Sequence, residues 1–246
     1  RAPRAGSLPV VPALEPLTRS ESGRRRGGRA VAVVAVTIVV VGSALSACSS
    51  SGDAAGPAGS DDIVAERATV AIVGDSITEQ GEHILREELS QRWALELDGR
   101  SGYTIADQIP AATAMAQARP SQMIVNLGTN DVLRQRTTAE LVADLQRLLA
   151  AVGDVGCVHV VNVAEEMVVA GHDYAATAVE ANVAIASLVA ADDRLDLVDW
   201  ATEVRGHQAG SAPDGPILYD TIHPTDTGQR RLAALYDEAL GGGCGG

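Results

Sequence analysis

From residue 62 onward, short apolar runs alternate with longer stretches of helical character. The runs at 69–73, 94–97, 122–127, 157–163 and 195–198 read as strands, and the stretches near 79–91, 104–118, 138–150, 175–191 and 225–239 read as helices. Strand and helix units alternating at this size predict an α/β fold, a mostly parallel sheet with helices on both faces. In such sheets reactive groups collect beyond the carboxyl ends of the strands. No internal repeat is evident.

Ahead of this body the pattern changes. Arg24, Arg25, Arg26 and Arg29 precede an apolar run at 30–45, which Leu45-Ser46-Ala47-Cys48 and a polar stretch at 49–60 follow, in the order of a secretory signal. The run is shorter than the roughly 20 residues that cross a bilayer comfortably, so a permanent transmembrane helix is the weaker reading. Leu45-Ser46-Ala47-Cys48 resembles the lipobox of bacterial lipoproteins, in which the Cys is lipidated and becomes the new N-terminus. The resemblance implies an extracytoplasmic protein held to the cell membrane through Cys48, with a plain cleaved signal or an uncleaved anchor as alternatives. Residues 1–18 open on Arg1, lack strong charge and clear periodicity, and read as an overlong start. The expected organisation is an extension and signal over 1–47, a lipidated Cys and flexible Ser/Gly/Ala/Asp-rich tether over 48–61, and one domain over 62–246.

Charge narrows the partners. The 246 residues carry a formal charge of −13, and cleavage before Cys48 would leave 12 Arg against 30 acidic residues. That balance argues against nucleic acid, whose binding needs cations to neutralise phosphates. A small neutral substrate is untouched by the argument, and a monomer is expected. With Cys48 given to lipid, Cys157 and Cys244 are left as a pair. Outside the cytoplasm a bridge between them would persist and tie the C-terminal tail to the start of a strand. Two unrelated thiols, one buried and one on the tail, are the alternative.

Three strand ends carry candidate chemistry. In Val70-Ala71-Ile72-Val73-Gly74-Asp75-Ser76 an apolar run breaks at Gly and delivers a Ser where a helix begins, beside backbone N–H donors that favour developing negative charge. In Ile124-Val125-Asn126-Leu127-Gly128-Thr129-Asn130-Asp131 an Asn offers a neutral N–H donor at the same height. In Leu218-Tyr219-Asp220-Thr221-Ile222-His223-Pro224 an acid stands three residues before a His, and a Pro that can start the last helix follows. That spacing lets the carboxylate hold one ring nitrogen while the other serves as a general base. Each segment alone also has an ordinary reading, as a helix cap, a turn, or a capping Asp beside a surface His.

Together the segments resemble the SGNH hydrolase superfamily, also called the GDSL esterase/lipase family. Gly74-Asp75-Ser76 matches its nucleophile block, Gly128-Thr129-Asn130-Asp131 its Gly-x-Asn-Asp block, and Asp220-Thr221-Ile222-His223 its final Asp-x-x-His, in the family's order. A glycine after the second strand completes the set, with Gly102 a better candidate than Gly99. The resemblance implies a flavodoxin-like three-layer α/β/α fold with strand order 2-1-3-4-5. It also implies a triad of Ser76, Asp220 and His223, and an oxyanion hole from the N–H groups of Ser76 and Gly102 plus the Asn130 side chain. His223 would take the Ser76 proton during attack on an ester, and an acyl-enzyme would then be hydrolysed, with no metal or cofactor. The rate is expected to rise as His223 loses its proton.

Asp75 and Asp131 adjoin these residues and are read as support through hydrogen bonds. His83, His159, His172 and His207 show no metal-ligand spacing with nearby acids or cysteines and are read as structural or surface residues. Trp200 is read as a packing residue, with a pocket wall as the alternative, and the Gly- and Pro-containing loop 206–217 could shape the substrate entrance. No long apolar lid lies between the motifs, so short acyl chains are expected, on an envelope lipid or an O-acetylated glycan. A transacylase using the same triad and a non-catalytic surface-anchored binding protein are the competing functions.

Overall fold

The structure is a computed structural model that describes residues 67–207 and 216–245. The extension and signal over 1–47, the tether with Cys48, and 208–215 of the expected entrance loop lie outside the described residues. In chain order the elements are β1 (Thr69–Gly74), α1 (Ser76–Leu89), β2 (Ala94–Gly99), α2 (Ile105–Gln117), β3 (Gln122–Asn126), α3 (Thr129–Leu133) and α4 (Thr138–Ala151). They continue with β4 (Val158–Val161), β5 (Val168–Val169), β6 (His172–Asp173), α5 (Ala175–Val189), β7 (Leu195–Val198), α6 (Trp200–His207) and α7 (Asp226–Gly242).

Five strands form one parallel sheet in the order β2-β1-β3-β4-β7, which counted among themselves is 2-1-3-4-5. On one face α2 packs on α4 and α4 on α5; on the other α7 packs on α1 and α6. The result is a three-layer α/β/α sandwich. Strands covered on both faces read as continuous apolar runs. Val70, Ala71, Ile72 and Val73 of β1 and Met123, Ile124 and Val125 of β3 are accordingly buried, whereas the edge strand β2 is half-exposed. Trp200 packs inside this core at 1% exposure, which removes it as a pocket wall.

The sheet reverses its strand order between β1 and β3, and there the carboxyl ends are level. Gly74 pairs with Gly99 of β2 on one side and Asn126 of β3 on the other. A crevice at such a switch point is where ligands bind in open α/β sheets.

Local departures from the sequence pattern have side-chain causes. β4 stops at Val161 because the Asn182 side chain takes both the N–H and the carbonyl of Val163, at 2.9 and 2.8 Å. α1 starts at Ser76 because Asp75 caps it. The two-residue strands β5 and β6 pair as a small antiparallel hairpin, which the apolar pattern does not announce. Among the described residues no helix is long and apolar enough to cross a membrane.

Cys157, just before β4, and Cys244, in the Gly-rich tail after α7, form a disulfide with Cα atoms 5.4 Å apart and 87 residues of separation. Closing so long a loop restricts the unfolded chain, and the loss of the bridge costs about 4.6 kcal/mol by chain entropy. A Cys157→Ser, Cys244→Ser double variant measured without added metal is expected to unfold at lower urea, with a steeper transition because its unlinked unfolded chain exposes more surface. An unchanged midpoint would show that the bridge contributes nothing.

Candidate active site

At the end of β1 the chain turns directly into α1. Asp75 is the N-cap, its Oδ1 accepting the Ile77 N–H at 3.0 Å, and Ser76 is the first helical residue. A Cβ on Gly74 would run into the Thr78 side chain, so the turn requires glycine. The helix start leaves early N–H groups without helical partners beside Ser76 and adds the positive end of the helix dipole.

Ser76 Oγ lies 3.0 Å from His223 Nε2, and Asp220 Oδ2 lies 2.8 Å from His223 Nδ1. The other Asp220 oxygen accepts the backbone N–H groups of Ile222 and His223, at 2.9 and 2.6 Å. This loop is closed by hydrogen bonds from Tyr219 N–H to His223 O at 3.0 Å and from Thr225 N–H to Ile217 O at 2.9 Å. Gly228 lets α7 approach the loop, since a Cβ there would strike the Ile217 carbonyl. The sequence segments that resembled the nucleophile and Asp-x-x-His blocks, 147 residues apart at Ser76 and His223, thus meet in one hydrogen-bonded chain.

The opposite wall comes from the turn after β3. Gly128 adopts φ 115°, which suits glycine, and begins α3 with Asn130 in its first turn. Asn130 Nδ2 donates to Asp75 Oδ2 at 3.1 Å. An amide nitrogen carries two hydrogens, so one remains for an oxygen bound beside Ser76. Asp131 reaches the other way: its Oδ2 accepts the Ile105 N–H at 3.0 Å, and its Oδ1 lies 3.6 Å from Arg136 Nε. That bond fastens the start of α2, and with it the preceding Gly102 turn, to the Asn130 turn.

Gly99 and Gly102 have different tasks. A Cβ on Gly99 would strike the backbone of Glu79, so Gly99 packs β2 against α1. Gly102 sits at φ +78° with open space around it, and its carbonyl accepts from Arg134 Nη2 at 2.6 Å. Two further residues escape a motif-based reading. The exposed Tyr219 ring stacks on His223 at 5.6 Å between centroids, and its hydroxyl donates to Gln80 Oε1 at 2.9 Å. Thr221 Oγ1 accepts from Val168 N–H at 2.9 Å and contacts Val168 O at 3.1 Å, stitching the β5–β6 hairpin to the Asp220–His223 loop. Their only sequence signal is adjacency to Asp220.

Burial pushes the Asp75 carboxyl up to about 7, against the Ile77 N–H bond, the nearby His223 and the Asn130 amide, which pull it down. Burial also raises Asp131, against the Ile105 N–H and Arg136. For Asp220, burial is outweighed by the hydrogen bonds from His223 and Ile222, which hold it below the ordinary carboxylate range. Folded Asp75 therefore binds its proton more tightly than unfolded Asp75. The stabilisation this gives is complete below the ordinary value of 3.8 and is lost as pH rises to about 7. Its full span is on the order of 4 kcal/mol. Asp220 acts in the opposite sense, and its stabilisation is lost as pH falls below the ordinary value of 3.8. Urea unfolding between pH 4 and pH 8 is expected to show stability falling with pH, and a flatter profile in Asp75→Asn. Equal slopes in the two proteins would contradict the assignment.

The remaining histidines separate. His83 and His172 are exposed, and His207 bonds the Glu203 carbonyl through Nδ1 at 2.9 Å. His159 is fully buried and stands against Cys157 Sγ, with Nε2 at 3.3 Å. It is thus a structural residue, as read from the sequence, and it stands two residues after Cys157, on the same face of the chain entering β4.

The sequence pattern of the GDSL-like Lipase/Acylhydrolase family matches residues 72–231. The chain belongs to that family and is an ester-hydrolysing enzyme. Among solved structures, the acetyl xylan esterase AlAXEase is similar at 19% identity and a TM-score of 0.60, over 70% of this chain and 99% of that one. The C-terminal catalytic domain of Streptococcus pneumoniae peptidoglycan O-acetyltransferase A is similar at 14% identity and a TM-score of 0.58, over 72% and 94%. TesA is similar at 25% identity and a TM-score of 0.54, over 70% and 97%. No curated protein matches the chain.

Proposed function

We propose that this chain is an exported serine esterase that removes short acyl groups, chiefly acetyl, through Ser76, His223 and Asp220. The observation that carries the reading is the relay from Ser76 Oγ to His223 Nε2 at 3.0 Å and from His223 Nδ1 to Asp220 Oδ2 at 2.8 Å. His223 takes the Ser76 proton as Oγ attacks the ester carbonyl, and Asp220 holds the ring in the productive tautomer. The N–H groups of Ser76 and Gly102 and the Asn130 amide receive the oxyanion. The alcohol leaves with the proton from His223, and water activated by the same ring releases the acid from the acyl-enzyme.

Small acyl groups are favoured by the absence of a long apolar segment between the motifs. Among the described residues, the large exposed apolar side chains on and beside the Asp220–His223 loop are Val168 and Val169 of the hairpin and Tyr219. Resemblance to an acetyl xylan esterase supports an acetylated glycan as one substrate class. The O-acetyltransferase neighbour supports a second reading, in which an alcohol of an envelope glycan replaces water at the acyl-enzyme. Retention of Ser76, Asn130, Asp220 and His223 together weighs against a non-catalytic binding protein.

Turnover of 4-nitrophenyl acetate, butyrate and octanoate tests the reading: the rate is expected to fall from acetate to octanoate. A preference for octanoate would overturn the short-chain assignment, and acyl transfer to an added sugar exceeding hydrolysis would favour the transferase. Asn130→Ala is expected to lower kcat by about 10²- to 10³-fold with a small change in KM, because the donor acts on the oxyanion and not on the ground-state ester. A matching rise in KM with kcat unchanged would contradict that role.

Export rests on the Arg-rich segment, the apolar run at 30–45 and Cys48. A monomer at the membrane surface, held by lipid on Cys48, fits these features. Mass spectrometry of the mature N-terminal peptide is expected to find Cys48 first and lipidated; a mature chain that retains residues 1–47 would overturn the anchor.

A further inference from the structure

At the amino end of the sheet, remote in sequence from the Ser76 motif, the fold gathers a second set of reactive side chains. Cys157 Sγ, His159 Nε2 and Cys244 Sγ lie within 4.8 Å of one another, with Cys157 and His159 buried. We propose that this disulfide is the oxidised form of a zinc site, and that the reduced chain binds one Zn²⁺ through Cys157, His159 and Cys244.

The donor set suits that ion. Two thiolates and an imidazole are the ligands of borderline-soft Zn²⁺, and three protein ligands leave a fourth position for water. Around a tetrahedral Zn²⁺, with Zn–S about 2.3 Å and Zn–N about 2.0 Å, a sulfur and a nitrogen ligand stand roughly 3.5 Å apart. Cys157 Sγ and His159 Nε2 already stand 3.3 Å apart. Only Cys244 has to withdraw, to the roughly 3.8 Å that two sulfurs span around the same ion. Its position permits this: Cys244 lies between Gly243 and Gly245, both at positive φ, beyond the last helix.

The surroundings point the same way. Asp196 Oδ2 lies 3.0 Å from His159 Nδ1, the carboxylate–histidine arrangement that orients a ligating imidazole and directs its other nitrogen to a metal. His159 Nε2 now contacts Gln122 Oε1 at 2.7 Å, and it would exchange that partner for the ion. On the surface beside Asp196 and the Cys244 turn an open depression of about 580 Å³ is lined by Asp192, Asp193, Asp196, Gly243 and Gly245 among apolar neighbours, an acidic approach for a cation.

The chemistry balances with a phosphine as reductant. The phosphine gives two electrons to the S–S bond and takes the oxygen of one water, becoming phosphine oxide, while the two hydrogens of that water end on the two sulfurs. Zn²⁺ then displaces both thiol protons as two Zn–S bonds form.

The test uses the purified full chain, with its disulfide intact or reduced by a phosphine without oxygen, titrated with Zn²⁺ against a chromogenic chelator and with Co²⁺. The reduced chain is expected to take up one equivalent, to release two protons, and to give thiolate-to-cobalt charge-transfer and tetrahedral d–d bands. Cys244→Ser and His159→Gln are expected to weaken binding at least 100-fold. Asp196→Asn, which keeps all three ligands, should weaken it about 10- to 100-fold. If reduction loosens the fold, added Zn²⁺ restores the circular-dichroism signal. Equal uptake by oxidised and reduced chains, uptake unaffected by Cys244→Ser, or a reduced chain that neither binds Zn²⁺ nor regains structure with it would overturn the proposal.

Discussion

Ser76→Ala is expected to keep the fold and lower kcat on 4-nitrophenyl acetate by about 10⁶-fold, the scale seen when a nucleophilic Ser is removed from a triad. Ala is a good residue for the first turn of α1, and the cap that starts this helix belongs to Asp75, whose bond to the Ile77 N–H is untouched. The lost hydroxyl costs His223 Nε2 its partner at 3.0 Å and nothing else in the hydrogen-bonded frame. A residual rate about 10³- to 10⁴-fold above water would persist, because the oxyanion donors stay in place. Steady-state turnover beside thermal unfolding checks both halves. A variant that keeps a tenth of the rate would remove Ser76 from the chemistry.

Asp220→Asn is expected to cost about 10⁴-fold in kcat with little loss of stability. The reason lies in the two roles of the carboxylate. Oδ1 accepts the backbone N–H groups of Ile222 and His223, and an Asn oxygen would keep that place. Its NH₂ would then face His223 Nδ1 at the position Oδ2 now holds, 2.8 Å away. A donor there makes Nδ1 the acceptor and puts the ring hydrogen on Nε2, which can no longer take a proton from Ser76. Kinetics across pH 6 to 9 check this, since the loss should persist throughout. A decline of less than tenfold would show that Asp220 only shapes the loop.

The sheet was legible because its central strands are covered on both faces. Val70–Val73 and Met123–Val125 form unbroken apolar runs, and the break to Gly74 or Gly128 marks where each leaves the sheet. The order of strands came instead from the family resemblance of three short motifs. What stayed hidden is held by tertiary bonds that leave no local pattern. β4 ends where Asn182 takes the Val163 backbone, and the β5–β6 hairpin is fixed to Thr221 across 53 residues. Asp75 and Asp131 were readable as support from adjacency alone, but not that one aims the Asn130 amide while the other ties Gly102's turn to it. Trp200 was readable as core because a large ring after an apolar strand end packs inward. His159 was readable as structural, but not its place beside both cysteines, because Cys244 arrives from the far end of the chain.

Chemistry at Ser76 is the claim on which the other assignments rest. Rapid acid quench of the enzyme during turnover of 4-nitrophenyl acetate, followed by peptide mass spectrometry, tests it directly. An acetyl group on Ser76, absent from Ser76→Ala and accumulating in the burst before steady state, is the predicted result; hydrolysis that proceeds with Ser76 never acetylated would contradict it.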